Sequence, residues 1–510
     1  MELLNPFFNW IMSRRMTQIE YFMQNPHEVQ EKLFNYLISI ARHTTWGRQY
    51  GYSDISTLAS FRERVPISSY EDFFPYIERM MRGEQNLLWP SKVKWFAKSS
   101  GTTNARSKFI PVTDESLEDC HFKAGKDLIS MYINRNPNAK LFSGKSIGIG
   151  GTYQRSEINA KMYYGDVSAI IMKNLPVWAE YMRAPGIDVA LMDNWEAKIE
   201  KMARLTANEM ITNISGVPTW TIVLLERILE ITGKDNIAEV WPDLEVFSHG
   251  AVAFDPYRET FKKLIPKSDM HYIELYNASE GFFGMQDTAR PNEMLLMLDY
   301  GVYYEFIPSS EFEKEQPKTI GLADVEIDEN YALIISTNGG LWRYKIGDTI
   351  RFTSTNPYRF KITGRTKHFI NAFGEEVIIE NAEMAITEAC KVTGAEIINF
   401  TVAPVYLQSG KKGAHQWLIE FERLPNQKEL FSATLDATLR EINSDYDAKR
   451  AYDLALVMPD IVELPKNTFY TWMKKRGKLG GQHKVPRLSN NRKYVEDILQ
   501  MLEETKTTTS

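Results

Sequence analysis

The sequence predicts an α/β protein with a large amino-terminal domain of mixed sheets and helices, a β-rich subdomain within it, and a smaller α+β carboxyl-terminal domain. Three observations predict this: apolar runs alternate with amphipathic segments after the first ninety residues, helical periodicity disappears over 294–353, and a fresh set of elements begins after 366. At 510 residues the chain is too long for one ordinary core.

The first ninety residues read as helices, with Phe22, Val29, Leu33, Leu37 and Ile38 at helical spacing over 20–42. The runs 145–150, 244–254 and 271–278 are predicted strands; 194–211 and 220–232 are predicted helices, the second stopped by Gly233. Over 294–353, Pro308, Pro317, Asn338-Gly339-Gly340 and Gly347 separate β-rich runs, as in antiparallel strands. A short strand over 359–365 precedes a polar, glycine-bearing stretch to 376. Then come a helix over 380–391, strands over 396–405 and 416–421, a helix over 427–443 and a strand over 455–464. These make a unit of separate-domain size. The expected domains are therefore 1–365 and 366–510.

Composition narrows the function. Sixty basic against 66 acidic residues give a net charge of -6, which argues against a protein that coats nucleic acid. No window reaches the roughly 18 uninterrupted apolar residues of a spanning helix. The apolar cluster Phe7, Phe8, Trp10 and Ile11 precedes Arg14 and Arg15, the wrong order for a secretory signal. Cys120 and Cys390 are far apart and in no metal-ligand spacing, so both are expected to be reduced. A cytoplasmic protein with no membrane, nucleic-acid or obligate protein partner is expected.

Five stations carry chemistry. Ser99-Ser100-Gly101-Thr102-Thr103 leaves an apolar run and is followed by Arg106 and Lys108. Four hydroxyls around a glycine suit a phosphate cradle or an ordinary surface turn, and no Gly-Lys-Ser/Thr comes after them to make a Walker A loop. In Tyr276-Asn277-Ala278-Ser279-Glu280-Gly281 a carboxylate stands just past a strand end, suited to magnesium, to capping a following helix, or to solvent. Gly347-Asp348 is either a hairpin turn or a turn that offers a carboxylate to two ribose hydroxyls. Ser248-His249-Gly250-Ala251 is a small-residue turn on which a flat base could lie. Finally, Gly480 and Gly481 make a loop that carries Lys484, and Pro486 stiffens the chain beyond it.

Taken in order, these stations and the Gly364-Arg365 strand end resemble the acyl-activating, adenylate-forming enzymes. More narrowly, Ser-Ser-Gly-Thr-Thr at 99–103, Tyr-x-Ala-Ser-Glu at 276–280, Tyr-x-x-Gly-Asp at 344–348 and Gly-Gln-His-Lys-Val-Pro-Arg at 481–487 resemble the Gretchen Hagen acyl acid amido synthetases, the auxin-responsive family with bacterial relatives. The resemblance covers nearly the whole chain. It implies the adenylate-forming fold, with ATP and Mg2+ as cofactors. Ser99, Ser100, Gly101, Thr102 and Thr103 would hold the phosphates, Glu280 the magnesium and Asp348 the ribose. Gly250 and Ala251 would face adenine with Tyr276 beside them, and Ser279 and Arg365 would complete the nucleotide site. Lys484 would arrive from a mobile carboxyl-terminal domain that rotates about 365–367. Two positions depart from the pattern: Ala105 stands where many relatives have a second glycine, and His483 where an aromatic is usual.

The implied reaction joins a small carboxylic acid to AMP with loss of pyrophosphate, then passes the acyl group to an amine, expected to be that of an amino acid. An acyl-CoA ligase shares the first step, and a non-catalytic nucleotide-binding protein is a third reading. His249 and His483 are candidates for a general base or are structural. The family architecture places the acyl pocket between a helix over 116–134 and the segments 148–153 and 216–220.

Overall fold

A ten-stranded sheet organises the molecule. Its spatial order is Val302–Pro308, Asn330–Thr337, Tyr344–Thr355, Tyr358–Arg365, Met294–Leu296, Gly281–Met285, His271–Ala278, Val246–Gly250, Ile211–Gly216 and Lys145–Gly148. The last four are mutually parallel, joined by crossovers, and every other pairing is antiparallel. The β-rich run after 294 is thus the other half of one continuous sheet. The computed structural model describes residues 14–99, 108–290, 293–312, 314–365, 369–407, 412–453, 455–476 and 485–509.

A second, four-stranded sheet has the order Lys108–Val112, Trp95–Ser99, Tyr163–Gly165, Tyr153–Arg155. The carboxyl-terminal region builds a three-stranded sheet from Glu396–Val405, Ala414–Arg423 and Asp460–Leu464, flanked by the helices Ile379–Thr393 and Lys428–Ile442. Large aromatics fill the interior: Trp46, Trp89, Trp220, Trp241, Trp342 and Trp417 are all fully buried. Each full burial of a large apolar side chain removes it from water at a gain of about 1.5–3 kcal/mol.

Local chemistry explains where the elements depart from the periodicity. Pro26 breaks the expected 20–42 helix into Met16–Gln24 and Pro26–Ala41, because proline cannot donate inside a helix but fits its first turn. The expected 194–211 helix stops at Thr206, and Ile211 opens the strand Ile211–Gly216, which the helical pattern conceals. Gly233 ends the helix Pro218–Thr232 in the left-handed region at φ 65°. No helix among the described residues is long and apolar enough to cross a membrane. Both cysteines are free thiols, and buried Cys120 accepts the Phe282 N–H at 3.2 Å.

Candidate active site

Three adjacent parallel strands, Lys145–Gly148, Ile211–Gly216 and Val246–Gly250, each end in glycine, and the fourth, His271–Ala278, runs into the turn that carries Glu280. The carboxyl ends of parallel strands are where open α/β sheets receive ligands. Three sequence stations, 248–251, 276–281 and 347–348, reach this edge.

Ser279 and Glu280 form the two-residue turn of a β-hairpin closed by the Ala278–Gly281 pair, so Glu280 caps no helix. Asp348 is not in a turn. It lies inside the strand Tyr344–Thr355, where the pairing with Asn330–Thr337 slips, and Gly347 at φ 98° supplies the left-handed backbone that the irregularity needs. The Arg365 backbone stands directly opposite Asp348 in the antiparallel register. The Tyr276 hydroxyl donates to Asp348 Oδ2. Three strands separate their own strands in the sheet, so this bond requires the sheet to curl around its short member Met294–Leu296.

Ser99 pairs with Lys108, and that pair closes the segment that holds Ser100, Gly101, Thr102 and Thr103, which lie outside the described residues. Lys108 Nζ is buried and donates to the Tyr344 hydroxyl at 3.4 Å. The same ammonium pulls on Glu280. Burial raises the Glu280 carboxyl above the usual carboxylate range; Lys108 and its own backbone N–H act downward, while Asp348 and Glu376 add to the rise. The base of the hydroxyl-rich loop, the hairpin carboxylate and the bulge carboxylate therefore share one electrostatic neighbourhood. Among the described residues no group of three or more His, Cys, Asp or Glu could hold a metal ion by itself. A single carboxylate in a basic and acidic surround fits magnesium, which takes most of its oxygens from phosphate and water.

At the other side of the edge, Ala251 adopts φ 70°, and its carbonyl accepts Asn371 Nδ2–H at 2.8 Å. Asn371 belongs to a loop, 371–376, that is tied down from both sides. Thr219 Oγ1 donates to Phe373 O at 3.2 Å, the Tyr257 hydroxyl donates to Ala372 O, and fully buried Glu375 accepts the N–H groups of Ala372 (3.1 Å) and Phe373 (2.6 Å) while facing His415 Nε2 at 2.8 Å. His249 is 2% exposed and stacks on Phe254 with centroids 3.9 Å apart; burial, with Arg258 adding to it, pushes its pKa down to about 3. It is a neutral core histidine. Lys484 and His483 lie outside the described residues, as does Ala105.

Sequence reasoning does not place Lys108, Glu376 or Asn371 at this edge. Lys108 has a signal, its position just after the hydroxyl run, whereas nothing about Glu376 or Asn371 in sequence distinguishes them from loop residues. The helix expected to flank the acyl pocket is interrupted: Asp114–Ser116 passes through a wide π turn over Leu117–Phe122 into Lys123–Arg135. Gly148 and Gly216 do lie side by side at the strand ends.

The pattern described as "GH3 family N-terminal domain" matches residues 15–270, "GH3 family central domain" matches 295–365 and "GH3 family C-terminal domain" matches 380–493. The chain belongs to the GH3 family. Indole-3-acetic acid-amido synthetase GH3.3 of Arabidopsis thaliana is 23% identical to this GH3 chain, over 92% of it and 90% of the relative. The rice (Oryza sativa subsp. indica) protein indole-3-acetic acid-amido synthetase GH3.8 is 22% identical over 92% and 89%. In fold, the GH3 chain matches the GH3.15 acyl acid amido synthetase with a TM-score of 0.60 at 16% identity, covering 95% of each chain. It also matches a 2-hydroxyisobutyryl-CoA ligase in complex with 2-HIB-AMP and CoA with a TM-score of 0.55 at 12% identity, covering 94% and 92%. The architecture is the adenylate-forming fold.

Proposed function

We propose that this GH3 protein is an ATP-dependent acyl acid amido synthetase that adenylates a small carboxylic acid and transfers the acyl group to the amine of an amino acid. One observation carries the reading: Tyr276, Glu280, Asp348 and Lys108, from motifs far apart in sequence, meet at one strand-end edge through the Tyr276–Asp348 hydrogen bond and the Lys108–Glu280 attraction. Family membership and the names of the relatives support the chemistry.

In the first step the substrate carboxylate attacks the α-phosphorus of ATP; a carboxylate oxygen bonds to phosphorus and pyrophosphate leaves. Both reactants are anions, so the site must offset their repulsion and hold them in line. Ser99, Ser100, Gly101, Thr102 and Thr103 are assigned to the phosphates, with Lys108 at the base of their loop. Asp348 accepts the ribose hydroxyls, kept in place by the Tyr276 hydroxyl, while Gly250, Ala251 and Tyr276 face the base, and Ser279 and Arg365 flank the nucleotide. A magnesium ion held by Glu280 would supply positive charge against the phosphates. Lys484 is assigned to the reacting phosphate, carried by a unit that begins at 366. In the second step the amine nitrogen attacks the acyl carbonyl carbon, the carbon–oxygen bond to phosphate breaks, AMP leaves and the amine gives up a proton.

The test uses the purified chain with ATP, Mg2+ and a panel of carboxylic acids. Acid-dependent exchange of labelled pyrophosphate into ATP is expected, and its absence across the panel overturns the reading in favour of a binding protein. With an acid that supports exchange, AMP release should rise with amino acids. If it rises with CoA instead, the protein is an acyl-CoA ligase.

A further inference from the structure

On the side of the edge away from Asp348, a seam joins the carboxyl-terminal unit to the strand ends. Trp195 and Trp220 stack with centroids 4.2 Å apart and planes 10° from parallel. Two lysines attend this pair. Lys198 Nζ lies 4.1 Å from the Trp195 centroid, is fully buried, and donates to the carbonyls of Gly150 at 3.0 Å and Gly151 at 3.2 Å. Lys449, in the last turn of the helix Ser444–Arg450, reaches across to place Nζ 5.2 Å from the Trp220 centroid. Its stem runs over Gly374, where a Cβ would stand 3.1 Å from Lys449 Cε and 3.4 Å from Nζ, and where φ is 91°. Val217, the residue after the Gly216 strand end, borders the same spot.

The two ammonium groups are treated differently. Two carbonyls satisfy Lys198. Among the described residues Lys449 Nζ has no hydrogen-bond acceptor and no carboxylate at ion-pair distance, although Asp445, Asp166 and Glu375 act on it from farther away and favour its charge against the effect of burial. Asp166 Oδ2 accepts the Thr152 N–H at 2.7 Å. Lys449 is half-buried, and an anionic ligand at its ammonium makes the charge-assisted hydrogen bond that these neighbours leave unmade. The amide-forming step calls for a ligand of this kind, because an amino acid brings a carboxylate as well as its amine.

We propose that Lys449 binds the α-carboxylate of the amino acid acceptor, at the Trp220–Gly374 seam beside the Gly216 strand end. This rests on the amido synthetase reading above. Lys449 is a positioning and specificity residue: it selects a carboxylate-bearing amine and leaves the adenylation chemistry to the other side of the edge.

The experiment compares full-length wild type, Lys449→Met and Lys449→Arg, using an acid that supports pyrophosphate exchange. The acceptors are the amino acid that wild type conjugates best and the carboxamide of that amino acid, which keeps the amine but lacks the carboxylate. In Lys449→Met the KM for the amino acid should rise about tenfold or more, the loss of one charge-assisted contact, with kcat much less affected. The wild-type preference for the amino acid over its carboxamide should vanish, and Lys449→Arg should regain much of it. Exchange measured on every variant reports folding, so an amino-acid effect larger than any change in exchange supports the proposal. Equal losses for amino acid and carboxamide make Lys449 a clasp between the units and overturn it, as does an unmoved KM. Absence of exchange in wild type would instead bring down the amido synthetase reading itself.

Discussion

The two sides of the strand-end edge are built by different means. On the side assigned above to the nucleotide, Tyr276, Glu280, Asp348 and the Arg365 backbone are fixed by strand register within one sheet: a two-residue hairpin turn, a bulge and an antiparallel pair. On the seam side, Gly150 and Gly151, the Trp195–Trp220 stack, the 371–376 loop and Lys449 come from separate stretches and two units, held by side-chain packing and a few side-chain-to-backbone bonds. The first arrangement is fixed by backbone pairing. The second can change residue by residue without disturbing the sheet. Under the reading proposed above, a fixed nucleotide side and an adaptable acceptor side suit a protein that uses one nucleotide but must fit its own acceptor.

Substitutions sharpen the contrast, beginning with the largest effect. Lys484→Ala should lower acid-dependent pyrophosphate exchange by about a hundredfold to a thousandfold, the range expected when a charge aimed at the reacting phosphate is removed; full activity in that variant ends its assignment. Asp348→Asn keeps the shape of the bulge but removes its charge, and should lower kcat/KM for ATP tenfold to a hundredfold, about 1.5–3 kcal/mol, in the same assay. Tyr276→Phe, which leaves the Asp348 charge and removes only its donor, should cost less than Asp348→Asn, roughly fivefold to tenfold. If these two variants reverse in order, the register-fixed picture of the nucleotide side is wrong. Neither should alter the preference for an amino acid over its carboxamide, which belongs to the seam.

The smallest expected effect concerns His249, at the strand end between the two sides. Unfolded, its imidazole takes up a proton below about pH 6.5; folded, it stays neutral down to about pH 3. The unfolded state therefore binds more protons in that window, and stability falls as pH drops through it. His249→Phe should flatten the fall of Tm between pH 6.5 and 4.5. A slope unchanged by the substitution means that the imidazole is not held neutral by its burial.

This division also explains what can be read from the sequence. Register-fixed residues are local: Ser279-Glu280 and Gly347-Asp348 are short strings whose small residues announce the turn or bulge that presents the carboxylate, although Gly347-Asp348 looks like a turn because a bulge and a turn both demand a glycine at positive φ. The strand His271–Ala278 and the strand Glu396–Val405 run as their apolar patterns indicate. The illegible part depends on distant packing. Nothing near Lys449 in sequence tells that its stem crosses Gly374 toward Trp220, a residue expected only as the end of a segment beside the acyl pocket. The helix expected over 194–211 overruns its true end at Thr206 because the apolar residues of the following strand keep the helical pattern alive.

The central claim is that an acid is joined to AMP through its own oxygen before an amine displaces it. The direct measurement supplies the acid with heavy oxygen in its carboxylate and weighs the products after turnover with ATP and an amino acid. One labelled oxygen should appear in the phosphate of AMP and the other remain in the amide. Unlabelled AMP, or label in inorganic phosphate released with ADP, would contradict the account.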